Sequence, residues 1–274
     1  MGLEDGRIPA DTAARADATF VVHATWAPMR TPGMMARVEA GLVLADSGLA
    51  CDTFNIVCRA RLGGPDGIQR CREAFAHFRD VRRPFSWWVG PADEPPSLGA
   101  MLESIGLVRA EAEEAMAKRL GELPGLHPEE VTGLEVLRVH TAAQLESWAT
   151  VTASNWTPPD LGVNSFYRQT AAALLAPDSP QWLYLGLLDG TPVATAEATV
   201  HDRTVMLFNV ATGAEYRGRG IGSRMTWQPL REAAAAGCTL GVLQAASAGV
   251  RVYRRLGFTT FGEITEYKPK GALA

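Results

Sequence analysis

Several signatures of specialised proteins are missing from this 274-residue sequence. There are only four cysteines, and they form neither a C-x-x-C pair nor a Cys/His group with zinc spacing. We therefore expect no metal site. We interpret the cysteines as small buried side chains in a reducing compartment, at Cys51, Cys58, Cys71 and Cys238.

Targeting and membrane signals are missing as well. The first residues carry no apolar segment of a secretory signal, and Gly6 stands where a myristoylation motif has Ser or Thr. No apolar run approaches the length of a membrane span. The net charge of −4 disfavours a nucleic-acid surface. We expect a cytoplasmic protein that binds neither membranes nor nucleic acids.

The remaining composition is that of an ordinary globular protein, with 47% hydrophobic and 20% charged residues. Its length of 274 residues is sufficient for two domains. Residues 121–133 are rich in proline, glycine and charge and leave little to bury, which indicates a linker. We therefore predict one domain at residues 1–120 and a second at residues 134–274.

The most informative stretch is residues 204–223. An apolar run at 205–210, broken only by Asn209, predicts a buried strand. A glycine cluster at 217–222 follows it and opens a helical pattern. A strand, a glycine-rich turn and a helix N-terminus together direct several backbone N–H groups and a partial positive charge at one point. The segment therefore predicts a pyrophosphate site.

The glycine spacing distinguishes between kinds of pyrophosphate site. Ser223 and Met225 stand where the dinucleotide fingerprint G-x-G-x-x-G needs glycine, and no P-loop Gly-Lys-Ser/Thr follows. Arg217, Gly220 and Gly222 fit R-x-x-G-x-G instead. This pattern resembles the pyrophosphate loop of the GNAT superfamily of acetyl-CoA-dependent N-acyltransferases. An ordinary glycine-rich turn is the alternative for this segment alone.

A second segment strengthens the resemblance. Residues 239–244 predict another strand, and a short helix then leads to Tyr253 and to Leu-Gly-Phe at 256–258, in the order and spacing typical of GNAT proteins. Ala246 stands where the family usually has Asn, which removes one expected contact to the pantetheine arm. The resemblance covers roughly residues 134–267.

The resemblance implies an α/β (α+β) fold in which each domain has a mixed, mostly antiparallel central sheet flanked by helices. The first half is similar in the order of its elements, and Gly106-Leu107 corresponds to the later Gly257-Phe258. Its nearest counterpart of the glycine loop contains Pro65 and Asp66, which remove an amide donor and add a repulsive carboxylate. We predict tandem GNAT-like domains with a degenerate first copy. An unrelated α/β domain is the alternative.

The resemblance also implies acetyl-CoA, or another short acyl-CoA, as co-substrate. Backbone N–H groups of Val210 and Thr212 would hold the pantetheine and the acetyl carbonyl, and the amides of 218–223 would hold the diphosphate. Arg217 and Arg219 would add charge, the alternative being solvated surface arginines. The predicted cofactor-binding residues are Val210, Ala211, Thr212, Arg217, Gly218, Arg219, Gly220, Ile221, Gly222 and Ser223.

The candidate catalytic residues are Tyr253 and Glu197. By family resemblance Tyr253 would protonate the departing CoA thiolate, the alternative being a packing aromatic. For the base, family members often use a Glu on the strand before the glycine loop, or a water relay, and here that strand has Asn209 but no carboxylate. Glu197 lies on the preceding strand among small residues, and it is our candidate for the general base. The alternative is that Glu197 is a charged side chain that faces outward at the edge of the sheet. His201 and Glu215 are the second choices for the base.

These inferences predict an N-acetyltransferase that moves an acetyl group to an amine, most simply a small molecule, by direct attack. The protein would be a monomer or homodimer. A rival hypothesis is an acyl-CoA-binding sensor or interaction module without catalysis, which the missing Asn and the absent strand carboxylate leave open. A nucleotide-dependent oxidoreductase is disfavoured by the failed dinucleotide fingerprint and by the lack of repeated βαβ units.

Overall fold

The computed structural model describes residues 8–121 and 128–271, so residues 122–127 of the predicted linker lie outside the described residues. The first half contains α1 (Thr12–Thr25), β1 (Met35–Glu39), β2 (Leu42–Asp46), β3 (Ile56–Cys58), α2 (Gly67–Asp80), β4 (Ser86–Val89), α3 (Leu98–Ser104) and β5 (Leu107–Arg119). The second half contains β6 (Leu134–Arg138), α4 (Ala142–Ala153), α5 (Leu161–Leu174), β7 (Gln181–Leu188), β8 (Thr191–His201), β9 (Thr204–Thr212), α6 (Ile221–Ala235), β10 (Leu240–Ala245), α7 (Val250–Arg255) and β11 (Thr259–Pro269).

The strands of the described chain form one eleven-stranded sheet in the order β1-β2-β3-β4-β11-β5-β10-β9-β8-β7-β6. Every neighbouring pair is antiparallel except β3–β4 and β9–β10, which are parallel. The helices cover the faces of this sheet, and apolar side chains of both halves fill the space between. The predicted α/β fold with a mostly antiparallel sheet is confirmed.

The two halves exchange their last strands. Strand β5 of the first half lies between β10 and β11, and β11 of the second half lies between β4 and β5. The two half-sheets are thereby joined into one, because each half supplies the strand that pairs with the other half's penultimate strand. The predicted domain boundaries, at residues 1–120 and 134–274, stay a prediction. The exchange shows which strands pair, but it does not show where along the chain one domain ends.

The first half repeats the element order of the second. The series β1, β2, β3, α2, β4, α3, β5 corresponds to β7, β8, β9, α6, β10, α7, β11, and the parallel pair falls at the same place in both. Gly106 and Gly257 both follow the last helix and have positive φ, at 101° and 84°. The first half is compatible with a second GNAT-like domain.

Local sequence signals explain where helices α4 and α5 begin. Thr141 and Gln144 form a capping box at the start of α4, as the Thr-x-x-Gln spacing allows. Helix α5 begins at Leu161, where the Asp160 side chain caps the helix by accepting a hydrogen bond from the amide of Gly162. Helix α6 continues through Pro229, which lies inside the helix.

The two tryptophans of β4 face opposite sides of the sheet, as strand alternation requires. Trp87 is fully buried in the core of the first half. Trp88 is half-buried on the other face, where its ring lies 6.5 Å from that of Phe20 of α1 in an edge-to-face arrangement. Helix α1 thus covers the centre of the sheet and also contacts β8 and β9 of the second half.

Candidate functional site

Strands β9 and β10 separate part-way along their length. Leu207 pairs with Leu243, and among the described residues no further pair joins the two strands beyond this point. Strand β9 continues to Thr212 because β8 holds it from the other side, with Thr212 opposite Ala194. We call the gap beyond Leu207 and Leu243 the fork.

A bulge in β9 shapes the fork. Asn209 has φ of 50°, and the β8–β9 register shifts between Thr195 and Glu197. Left-handed backbone is uncommon for residues other than glycine, although Asn tolerates it. The bulge turns the strand just before Val210, Ala211 and Thr212, which are half-buried along the open side of the fork. The sequence patterns do not show this bulge, beyond placing one polar residue in an apolar run.

The glycine loop exposes backbone amides. Gly218 and Gly220 have φ of 77° and 80°, and Gly220 is the N-cap of the 15-residue helix α6. In the described part of the chain, the amides of residues 218–222 donate to no other group. The amide of Ser223 donates instead to the Gly220 carbonyl, at 3.1 Å. Free amides at a helix N-terminus fit a diphosphate, so the residues present suit the predicted co-substrate.

Two arginines lie beside these amides. Arg217 donates from Nε to the carbonyl of Thr212, at 3.0 Å, and so ties the loop to the end of β9. Arg219 donates to the carbonyl of Glu215, at 3.2 Å, with its guanidinium 5.6 Å from the ring centroid of Tyr216. Both arginines are exposed, and within residues 8–121 and 128–271 they bind only neutral groups, so their charges are available to an anion.

Tyr253 lies on α7, and its side chain is 9% exposed in the same core cluster as Ala245 of β10. Its hydroxyl has no hydrogen bond to any residue the structure describes. Burial, together with the negative charge of Glu113, raises the pKa of Tyr253 to about 12. The phenol therefore stays protonated around neutral pH, as a proton donor must.

Glu197 is enclosed rather than exposed, so the outward-facing edge charge considered above is wrong. It is 1% exposed and faces inward. Its oxygens accept hydrogen bonds from Tyr167 (2.9 Å), Asn209 (2.9 Å) and Gln181 (3.1 Å), and the His23 ring nitrogen lies 3.3 Å away. Burial acts to raise the pKa of Glu197, but His23 and the hydrogen bonds outweigh it and lower the pKa. The carboxylate is ionised and well satisfied.

His201 and Glu215, the second choices for the general base, both lie outside the fork. His201 is exposed at the hairpin end of β8, opposite Thr204, which is the far end of the β8–β9 ladder from Thr212. Glu215 is exposed in the short segment before the glycine loop. Neither side chain lies on the strand segments that line the fork.

The corresponding loop of the first half has a different arrangement. Arg61 donates to Asp17 at 2.8 Å and to Asp93 at 3.1 Å, and so its charge is already neutralised. Asp66 stands at the N-terminus of α2, where the second half has Gly220. A carboxylate at that point opposes the binding of a phosphate. We therefore keep the interpretation of the first half as a copy without the co-substrate site.

Two further findings concern the described residues as a whole. No group of three or more His, Cys, Asp or Glu side chains within residues 8–121 and 128–271 is arranged to hold a metal ion. Over the same ranges, every helix is too short or too polar to traverse a bilayer. The four cysteines are buried free thiols, as the sequence indicated.

Comparison with known proteins agrees with this geometry. The sequence model of the Acetyltransferase (GNAT) family matches residues 142–258. A GCN5-related N-acetyltransferase from Kribbella flavida has a similar structure, with a TM-score of 0.71 and 22% identity over 96% of this chain and 97% of that one. No curated protein matches the chain.

Other solved structures share the fold over most of both chains. A tandem GNAT protein from the clavulanic acid biosynthesis pathway has a TM-score of 0.58 and 13% identity, over 97% of each chain. A conserved protein of unknown function from Staphylococcus epidermidis has a TM-score of 0.62 and 12% identity, over 86% of this chain and 93% of that one. At these identities the likeness shows the fold. Residues 142–258 thus match the model of the Acetyltransferase (GNAT) family, and the chain has the fold of these GNAT structures.

Proposed function

We propose that the protein transfers an acetyl group, or another short acyl group, from acyl-CoA to an amine by direct attack. The fork between β9 and β10 supports this function, because it opens beside the amides of residues 218–222, which have no partner in the described part of the chain. The fork supplies backbone groups for a pantetheine arm. The loop supplies donors for the diphosphate, and the helix N-terminus adds favourable charge.

In this proposal the chain contributes mainly position. The amides of Val210 and Thr212 orient the thioester carbonyl towards the acceptor. The neutral amine nitrogen forms a bond to the carbonyl carbon, the carbon–sulfur bond breaks, and the Tyr253 phenol gives its proton to the departing thiolate. The proton that the nitrogen loses on becoming an amide restores the phenol through solvent. The raised pKa of Tyr253 keeps the phenol protonated at neutral pH, so that it can donate to the sulfur as charge develops there.

The general-base role of Glu197 stays a prediction. A carboxylate with a lowered pKa and several hydrogen bonds is a weak proton acceptor at neutral pH. Its hydrogen bond from Asn209, at 2.9 Å, instead supports a role in holding the bulge that opens the fork. Substitution of Glu197 by Gln separates these roles, because only a base would alter the pH profile of turnover.

A free-thiol assay across a panel of amines tests the proposal. We expect acceptor-dependent CoA release in wild-type protein, and loss of that release when Tyr253 is replaced by Phe. The rival function, an acyl-CoA-binding sensor, is favoured by Ala246 in the place of the usual Asn. Tight acetyl-CoA binding without CoA release for any amine would support the sensor and contradict the transferase.

A further inference from the structure

A pocket lies where the two halves meet, on the face of the sheet covered by α1. Two of its lining residues, Met206 and Gln244, stand one position to either side of the last β9–β10 pair, Leu207 with Leu243. The pocket therefore lies directly over the start of the fork. A ligand held there would reach the fork from the side opposite α6.

Aromatic side chains from both halves form its walls. Phe20 comes from α1, Trp88 from β4 and Phe261 from β11. Aromatic walls of this kind favour a ligand with a flat or branched apolar group, because they bury apolar surface and require no hydrogen bonds from it.

The pocket also contains an unsatisfied donor. Nε2 of Gln244 is buried and has no hydrogen-bond partner among the described residues. A buried amide without a partner costs about 1–3 kcal/mol. A ligand that places an oxygen beside Gln244 would satisfy this group, so the walls and the donor together specify an apolar body with a nearby oxygen acceptor.

Resting on the proposed function, we propose that this pocket binds the non-reacting body of the acceptor amine. The class of acceptor is a compact primary amine with an aromatic or branched apolar group and a carbonyl or similar oxygen next to the amine-bearing carbon. The first half of the chain thus acts as a wall of the acceptor site, through Phe20 and Trp88.

Steady-state kinetics with phenylalaninamide and glycinamide test this assignment. We expect phenylalaninamide to have the lower KM, and Trp88→Ala to raise its KM about tenfold, as expected for the loss of an aromatic contact. The KM of glycinamide and the Kd of acetyl-CoA should stay unchanged. Equal KM values for the two amines, or no effect of Trp88→Ala, would overturn the pocket assignment while leaving acyl transfer intact.

Calorimetry separates this proposal from the proposed function. Phenylalaninamide should bind the wild-type protein and bind Trp88→Ala about tenfold more weakly, whether or not CoA is released. Absence of binding would overturn the pocket assignment. Binding without CoA release would uphold the pocket and contradict the transferase.

A separate observation concerns Glu113, on the strand that the first half contributes. Ala115 and Glu114 of β5 pair with the last two residues of β10, so Glu113 is the first residue past the end of that strand. Its partner on β11 is Ile264, which lines the pocket. Directly paired residues point to the same face of a sheet, so the Glu113 carboxyl lies on the pocket side.

The surroundings of Glu113 suit a proton acceptor. It is half-buried, and no hydrogen bond or ion pair to it occurs among the described residues. Burial and the negative charges of Glu111 on β5 and Glu266 on β11 raise the pKa of Glu113 to about 7. The Glu266 carboxylate accepts a hydrogen bond from Ser86 of β4 and forms an ion pair with Lys268 of β11. The charge of Glu113 also contributes to the raised pKa of Tyr253 on α7.

We infer that Glu113 is the general base of the reaction. An acceptor arrives as an ammonium ion and transfers one proton to the Glu113 carboxylate. The neutral nitrogen then bonds to the acyl carbon, and sulfur leaves with the bonding pair and takes the proton of Tyr253. The second proton, which the nitrogen loses as it becomes an amide, returns through solvent to the Tyr253 phenolate, and Glu113 gives its own proton to water. The base is thus supplied by the first half, which explains why the strand before the glycine loop needs no carboxylate.

The pH dependence of kcat/KM tests this role. In wild type we expect the rate to rise through about pH 7 and level off, because the carboxylate form is the active one. Glu113→Gln should remove this limb and lower the rate by about 10²-fold or more. The matched control is Glu114→Gln, since Glu114 faces the other side of the sheet and binds Arg254.

The outcomes are distinct. An unchanged limb in Glu113→Gln, or its loss in Glu197→Gln alone, overturns the role of Glu113 and leaves the transferase in place. Absence of CoA release with every amine overturns both. Unchanged acetyl-CoA affinity in Glu113→Gln, measured by calorimetry, is expected and shows that the variant is folded.

Discussion

At the scale of single residues, the molecule places its two candidate carboxylates in opposite environments. Glu197 is enclosed by donors that stabilise its charge, whereas Glu113 has burial and neighbouring carboxylates that disfavour it. An ionised, satisfied carboxylate stabilises a fold, and a carboxyl with a raised pKa near neutrality can exchange protons. The two glutamates therefore suit different tasks.

The lowered pKa of Glu197 predicts a pH-dependent effect on stability. Glu197 contributes stability above its unfolded-state pKa of about 4.3, and this contribution is lost as the pH falls through the lower folded-state pKa. Glu197→Gln should reduce the free energy of unfolding by about 1–3 kcal/mol at pH 7. Urea titrations should show this difference shrinking below about pH 4. An equal change in exposed Glu215→Gln would contradict the account.

The hydroxyl of Tyr253 gives a second prediction at this scale. Tyr253→Phe removes one buried oxygen and keeps the ring packing, so acetyl-CoA affinity should be unchanged while turnover falls by about 10²-fold or more. Stopped-assay rates and calorimetry measure the two quantities. Tyr267→Phe, on β11, is the control, and a wild-type rate constant in Tyr253→Phe would remove this residue from the mechanism.

Some of these residues could be found in the sequence and others could not. Tyr253 has a fixed spacing to Leu256 and Phe258, so a local pattern identifies it. The contact between Glu197 and His23 joins residues that are 174 positions apart, and no local pattern encodes it. Glu113 was equally hidden, because its position depends on which strand lies beside β10.

At the scale of elements, the loop and helix α6 followed directly from the sequence. Glycines, an N-terminus and an apolar helical face all act over a few residues, and those are the interactions that a pattern captures. The fork was not predictable in the same way. It depends on the left-handed backbone of Asn209 and on where β9 and β10 stop pairing.

Asn209 therefore carries a prediction about the fork. Asn209→Gly keeps the left-handed conformation accessible, whereas Asn209→Val opposes it at a cost of about 1–2 kcal/mol. Both variants lose the hydrogen bond to Glu197. We expect weaker acetyl-CoA binding and lower stability in the Val variant than in the Gly variant, measured by calorimetry and urea unfolding. Identical behaviour of the two would show that the bulge is unimportant for the fork.

At the scale of the whole molecule, the exchange of β5 and β11 is the dominant feature. The sequence indicated two similar halves and a linker, but it did not indicate that their sheets are joined. A strand has the same hydrophobic alternation whether its partner belongs to its own half or to the other one. The partner is decided by the assembled sheet and is therefore outside any local pattern.

This exchange predicts that the halves depend on each other. A fragment of residues 128–274 lacks β5 and leaves the edges of β10 and β11 without a partner, and such open edges favour aggregation. We expect this fragment to show no cooperative thermal unfolding by circular dichroism. Co-expression with residues 1–121 should restore a folded complex. Cooperative unfolding of the isolated fragment would contradict an obligatory exchange.

The central claim is that the diphosphate of acyl-CoA binds the amides around Gly220. Calorimetric titration of Gly220→Asp with acetyl-CoA tests it most directly, because the new carboxylate would repel the ligand at a left-handed position of φ 80°. Gly237→Asp, just after α6 with φ of 95° and open space around it, adds the same charge and backbone strain away from the loop.

We predict no measurable acetyl-CoA binding to Gly220→Asp, near wild-type affinity for Gly237→Asp, and similar thermal stability of the two variants. Wild-type affinity in a folded Gly220→Asp protein would contradict the account.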